Sequence, residues 1–227
     1  MKKATSLFVA IFFCLTANAS AAEKISMNFS ETLASSQVAP DGYLTVDGMV
    51  NQVSVGLDIN SLSLWYWNDY SLNDGRLNEH DFGAMYSFAP RETSFGSFIP
   101  FVRAEQWKWP GNGHDDSASV GLNYRGFIDG HLRFTKLVTD GIKDGGNRLY
   151  GILSKKFIRN DFSITPHVKI ALLDKFYGVS GIGHITPGIE IGYALTEKAS
   201  LSGFYEYQIE CAYPKHSYGG ISLSIKF

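Results

Sequence analysis

His216-Ser-Tyr-Gly-Gly-Ile-Ser-Leu-Ser-Ile-Lys-Phe227 ends the chain. From Gly219 the odd positions read Gly219, Ile221, Leu223, Ile225 and Phe227, and the even ones Gly220, Ser222, Ser224 and Lys226. A period of two places these rows on opposite faces of a β-strand, one apolar and one small and polar. The last apolar residue is also the last residue, so a bare carboxylate adjoins an aromatic ring. A strand in a water-soluble sheet has no need of that arrangement. A final strand that closes a membrane sheet against the first strand does, because an aromatic is favoured at the bilayer boundary.

The other end of the chain agrees. Met1-Lys2-Lys3 is a basic start, Leu7 to Leu15 an apolar run, and Ala17-Asn18-Ala19 and Ser20-Ala21-Ala22 are small-residue cleavage candidates. The pattern predicts a secretory signal peptide over residues 1–22, leaving a single outer-membrane β-barrel domain over 23–227. The apolar run is shorter than the ~20 residues a spanning helix needs. Cys14 lacks the flanking sequence of a lipoprotein signal. With the leader removed, Cys211 is the one cysteine and no intramolecular disulfide can form. Formal charge is −2, and losing Lys2 and Lys3 leaves 18 basic against 22 acidic side chains. That balance argues against a nucleic-acid partner. Mean hydropathy is −0.07, a value that hides membrane barrels because lipid-facing and lumen-facing residues alternate and cancel.

Between the two ends the alternation recurs. Val53, Val55, Leu57 and Ile59 oppose Gln52, Ser54, Gly56 and Asp58; His80, Phe82, Ala84 and Tyr86 oppose Glu79, Asp81, Gly83 and Met85. Ala118, Val120, Leu122 and Tyr124 oppose serines, Gly121 and Asn123; Ile164, Val168 and Ile170 oppose Thr165, His167 and Lys169. Counting such segments predicts an all-β fold: a closed antiparallel transmembrane barrel of about twelve strands, with ten as the alternative. Breaks near 39–48, 71–78, 110–115, 140–146, 175–182 and 211–216 read as longer than those near 60–61, 90–94, 126–128, 159–161 and 196–198. Long outer loops and short inner turns are the membrane-barrel habit, which puts both termini in the periplasm. Tyr66, Tyr86, Phe88, Tyr124, Phe162, Tyr193, Tyr207 and Phe227 fall near strand ends, as interfacial girdles require.

Ser63-Leu64-Trp65-Tyr66-Trp67, followed by Asn78-Glu79-His80-Asp81-Phe82 and Tyr86-Ser87, is similar to a Trp-centred strand and an acidic-start strand of small Gram-negative outer-membrane barrels, porin-like proteins of unassigned function. The terminal Phe227 likewise resembles the signature that the barrel assembly machinery reads. The strand count resembles small twelve-stranded channels for acidic oligosaccharides or nucleosides. These resemblances imply a bacterial outer-membrane location, with lipid and lipopolysaccharide as surroundings and small hydrophilic solutes as cargo. They carry over no functional residue and no oligomeric state.

If the apolar faces meet lipid, the opposite faces list the candidate pore lining: Asp58, Glu79, Asp81, Arg103, Glu105, Arg133, His167, Lys169, Glu190 and Glu206. The spread suggests an acidic arc on the second to fourth strands facing a basic arc on the seventh to ninth, a transverse field that orients polar solutes. The expectation is a narrow porin-like channel for passive diffusion, with a plugged structural or adhesion barrel as the alternative, since charges and bulky Trp65, Trp67 and Phe204 can also fill an interior. An embedded hydrolase is the second alternative. Catalysis needs a nucleophile, a base and an orienter together, and the sequence has no Gly-x-Ser-x-Gly. No HExxH or cysteine pair marks a metal site, and no cofactor is expected.

Overall fold

The computed structural model describes residues 24–111, 113–137 and 145–227; the signal-peptide expectation and most of the 140–146 break lie outside them. The strands in chain order are β1 (Ile25–Val38), β2 (Leu44–Ile59), β3 (Leu62–Ser71), β4 (Leu77–Ser87), β5 (Arg91–Thr93), β6 (Gly96–Trp109), β7 (Gly113–Gly126), β8 (Asp129–Leu137), β9 (Asn147–Ser154), β10 (Phe157–Arg159), β11 (Phe162–Phe176), β12 (Val179–Ala194), β13 (Ala199–Gln208) and β14 (His216–Lys226). β5 and β10 are three-residue pieces that extend hairpins against β6 and β11. The other twelve close an antiparallel barrel, with β9 paired to β11 and β14 paired to β1. Closure leaves no sheet edge, which is what a strand protein needs to cross lipid.

The quoted C-terminal stretch makes the closing seam. Asn28 pairs Lys226, Glu31 pairs Leu223 and Ala34 pairs Gly220. The Phe227 amide donates to the Met27 carbonyl at 2.8 Å. Because the period is two, the register sends Ile221, Leu223 and Ile225 outward with Met27, Phe29 and Leu33, and Ser222 and Ser224 inward. Thr32 and Ser222 hydroxyls meet inside at 2.9 Å. The outward rows expose large apolar side chains, among them Ile164, Ile189, Ile191, Leu132, Phe134 and Phe82. The phases read from the sequence agree with this facing.

Several expected breaks are shorter than the sequence suggests. The 39–48 break is a five-residue connection, Ala39 to Tyr43, and the 175–182 break is a turn at Tyr177–Gly178. Pairing continues through both regions, to Val38↔Leu44 and Phe176↔Val179, across register shifts. Gly48 (φ 135°) and Gly181 (φ 109°) sit within strands beside those shifts. Glycines that read as turn signals are therefore bulge residues, a use that period counting does not distinguish. Pro90-Arg91-Glu92, expected as a turn, leads into β5. At the far end the intervals between strands include 39–43, 72–76, 138–146 and 209–215, and at the terminal end 60–61, 127–128 and 195–198 together with the pieces β5 and β10, so the two ends differ in the expected sense but less sharply than the sequence suggested.

Candidate functional site

Among the described residues, the ion pairs Arg133–Glu105 and Lys169–Glu206 lie in the lumen. Its terminal half is a wet cavity of about 770 Å³ whose lining reaches the turn Asn160–Asp161. Thr32, Ser163, Thr165, Ser202, Ser222 and Ser224 line its walls with hydroxyls. These are the small polar rows of β1, β11, β13 and β14, turned inward by register. At its deep end Glu206 on β13 accepts hydrogen bonds from Lys169 Nζ on β11 at 2.5 Å and from the Tyr218 hydroxyl on β14 at 2.5 Å, with His167 Nε2 at 3.1 Å. Glu206 is 4% exposed; three partners offset the cost of burying its charge. Glu190 lies on the same cavity wall.

A second cavity of about 450 Å³ lies between β1–β4 and β6, lined by Gln37, Gln52, Trp65, Glu79, Asp81 and Arg103 among others. Glu79 accepts from Gln37 Nε2 at 2.7 Å, and Asp69 from Gln52 at 3.2 Å and from Asn78. Asp58, nearer the terminal end, is held by Ser63 at 2.6 Å with Ser26 and Asn28 alongside. On the next wall Glu105 pairs with Arg103 and with Arg133, the latter at 3.3 Å. Arg103 also stacks over Trp65 at 4.2 Å, where the ring face attracts the cation.

The far half is packed rather than wet. Trp107, Leu137, Tyr150, Ala171, Leu173 and Phe176 form a buried cluster. Arg148, 2% exposed, sits against it with Phe176 at 4.8 Å and Trp107 at 5.7 Å. Above the cluster the connection Ala39–Tyr43 folds inward as a lid. Gln208 Nε2 donates to the Gly42 carbonyl at 2.9 Å, the Tyr213 hydroxyl donates to Asp41 at 3.2 Å, and His184 Nε2 lies 3.2 Å from the Pro40 carbonyl. Asp41 is only 2% exposed. Burial, with the Asp41 carboxylate beside it, pushes the Tyr213 hydroxyl pKa up, so Tyr213 stays a donor. Gly42 adopts φ 100°, and a Cβ there would lie 2.8 Å from His184 Cβ.

All ten residues singled out in the sequence lie on inward positions, yet they do not form two opposed arcs. Glu79 and Asp81 are on the acidic side as expected, but Glu105 and Glu206 sit within the basic wall and each neutralises its neighbours. The pore-lining residues singled out in the sequence do not include Tyr150, Tyr218, Gln208, Asp41 and Tyr213, and His184 reads there only as one of the candidate bases, with His131 and His167. Inward parity flags Tyr150, His184, Gln208 and Tyr218; nothing in period counting shows that residues 39–43 fold into the lumen.

No protein-family model matches the chain, and no curated protein matches it. Solved structures do match. The KdgM porin superposes with a TM-score of 0.56 at 10% identity, over 89% of this chain and 99% of that one. The NanC porin gives 0.54 at 10% identity, over 88% and 98%. An outer-membrane channel from Pseudomonas putida F1 gives 0.52 at 9% identity, over 92% and 97%. Similarity at this identity is similarity of backbone path, so it speaks to architecture and not to solute. The chain has the fold of the small outer-membrane porins, a closed twelve-stranded antiparallel barrel.

Proposed function

We propose that the chain is an outer-membrane channel for passive diffusion of small hydrophilic solutes, exported by a cleaved signal peptide and inserted by the barrel assembly machinery through Phe227. Both termini face the periplasm, and lipid and lipopolysaccharide surround the barrel. The observation that carries this reading is the hydroxyl-lined cavity of about 770 Å³ that opens at the terminal end and ends on Lys169, His167 and Glu206. A diffusion path must replace part of a solute's hydration with side-chain hydroxyls and charges, and an open cavity walled by them supplies both. Asp58, Glu79, Asp81, Arg103, Glu105, Arg133 and Glu190 extend that lining. Arg103 and Arg133 share Glu105 as their ion-pair partner, an excess of basic charge that favours anionic or polyhydroxylated cargo. The KdgM porin has been solved in complex with disordered oligogalacturonate, an acidic carbohydrate of that class.

A second reading, a closed barrel without transport, draws on the lid Ala39–Tyr43 and the packed far half. Planar-bilayer conductance of the refolded chain from Glu23 to Phe227 separates the two. Stepwise openings with a preference for anions support the channel. A folded barrel that stays silent, with and without lid-loosening substitutions, refutes it.

A further inference from the structure

Among the described residues, Glu31 is a carboxylate on the outward face whose outward neighbours, Asn51 apart, are apolar. Along β1 it stands between Phe29 and Leu33, and across the ladders it faces Leu223 on β14 and Val53 on β2. It is six residues on from Ile25; at ~3.3 Å per residue and a tilt near 40° it stands roughly 15 Å above the terminal-end boundary, near the middle of an apolar band about 25 Å tall. Other outward polar residues, such as Gln106, Asp116, Lys136 and Asn147, begin the polar border toward the far end of their strands.

Lipid tails offer a carboxyl no hydrogen bond, so ionisable groups at this depth are rare and usually paired or functional. Among the described residues Glu31 has one hydrogen-bond partner, Asn51, whose Nδ2 donates to Oε1 at 3.0 Å. An asparagine amide carries two N–H groups and a carboxylate two oxygens. One N–H of Asn51 and one oxygen of Glu31 are therefore left over, while Asn51 Oδ1 is buried; the bonded atoms are 3.0 Å apart, so the two groups differ in depth by no more than that. A two-fold axis along the membrane normal keeps every residue at its own depth, so this pair meets a copy of itself. Donor then faces acceptor in both directions, as an isologous contact requires. Above Glu31 the outward positions of β14 shrink from Ile221 to Gly219 and Ser217, with Ser35 on β1 beside them. Small residues let two barrel walls approach.

We infer that the outer face of β14, β1 and β2 is a self-association surface on which two copies pack about that axis, each Glu31 carboxyl accepting a hydrogen bond from the partner's Asn51. The inference rests on the membrane placement proposed above but not on the pore. The test uses the chain from Glu23 reconstituted in phospholipid vesicles at low protein-to-lipid ratio, with subunits counted by single-molecule photobleaching. Insertion is read separately by protease protection. Wild type is expected to dimerise with increasing density, Glu31→Leu to raise the dissociation constant at least about tenfold, and Glu31→Gln to retain the dimer. In a Cys211→Ser background, Leu33→Cys crosslinks on oxidation, and Phe134→Cys, on the opposite wall, does not. An inserted chain that stays monomeric at every density, or a dimer indifferent to Glu31→Leu, overturns the proposal. A chain that does not insert overturns the membrane placement, and this inference with it.

Discussion

Replacing Leu223 by arginine is a sharp test of facing, and the structure changes what it should show. A lone arginine on the lipid face at mid-bilayer costs about 2–4 kcal/mol in membrane barrels. Ile189 on β12 is such a site: its ladder neighbours are Pro166 and Tyr205, and its side chain is 40% exposed on the outer wall. Ile189→Arg should therefore destabilise by about 3 kcal/mol. Leu223 lies at similar depth but directly opposite Glu31, and opposed side chains on neighbouring strands have Cβ atoms about 5 Å apart. An arginine there reaches the carboxylate, and a hydrogen bond to a charged group returns about 1.5–3 kcal/mol. The expected net cost of Leu223→Arg is about 1 kcal/mol. In a Glu31→Gln background that cost should rise, giving a coupling energy of about 2 kcal/mol in a double-mutant cycle. The assay is reversible urea unfolding in phospholipid vesicles, followed by the fluorescence of Trp65, Trp67, Trp107 and Trp109, at dilutions where the chain is monomeric. Equal costs at Leu223 and Ile189, or no dependence on Glu31, would refute both the seam register and the outward facing of Glu31.

Ser222→Arg, one residue along, points into the wet cavity beside Thr32; it should change stability by less than ~1 kcal/mol while lowering single-channel conductance. Gln208→Ala removes two bonds that hold the far end, to the carbonyls of Gly42 and Pro214. Weakening of the lid by about 1–2 kcal/mol should appear as a higher open probability and faster protease cleavage between Ala39 and Tyr43; unchanged values would show that the lid does not move. Arg148→Met should leave stability within about 1 kcal/mol of wild type in the same unfolding assay, because Arg148 Nε and Nη2 are buried without a hydrogen-bond partner among the described residues and an apolar side chain of similar length keeps the packing on Trp107 and Phe176. Neutralising Arg133 and Lys169 together leaves Glu105 with Arg103 and Glu206 with His167 and Tyr218. The reversal potential in a salt gradient should shift toward cations, and an unshifted potential would remove both residues from the conduction path.

The outward rows were legible because lipid imposes a single rule on every strand: alternate positions must be apolar. That rule is local, and Ile221-Ser222-Leu223-Ser224-Ile225 states it within five residues. Inward parity of Glu79, Arg103, Glu206 and the other charged candidates followed from the same rule. Their partners did not. Glu206 meets Lys169 across 37 positions and Tyr218 across 12, while Asp41 meets Tyr213 across 172.

The sequence by itself determined the architecture: strand facing, closure through the terminal strand, and a lumen lined with hydroxyls and charges. Period-two hydropathy encodes these residue by residue. Only the tertiary structure decided which charges neutralise each other, that Ala39–Tyr43 folds inward, and that Glu31 stands on the outward face among Phe29, Leu33, Val53 and Leu223 with Asn51 as its partner. Those outcomes depend on strand register and shear, which bring distant positions to one height, and no local pattern carries that information.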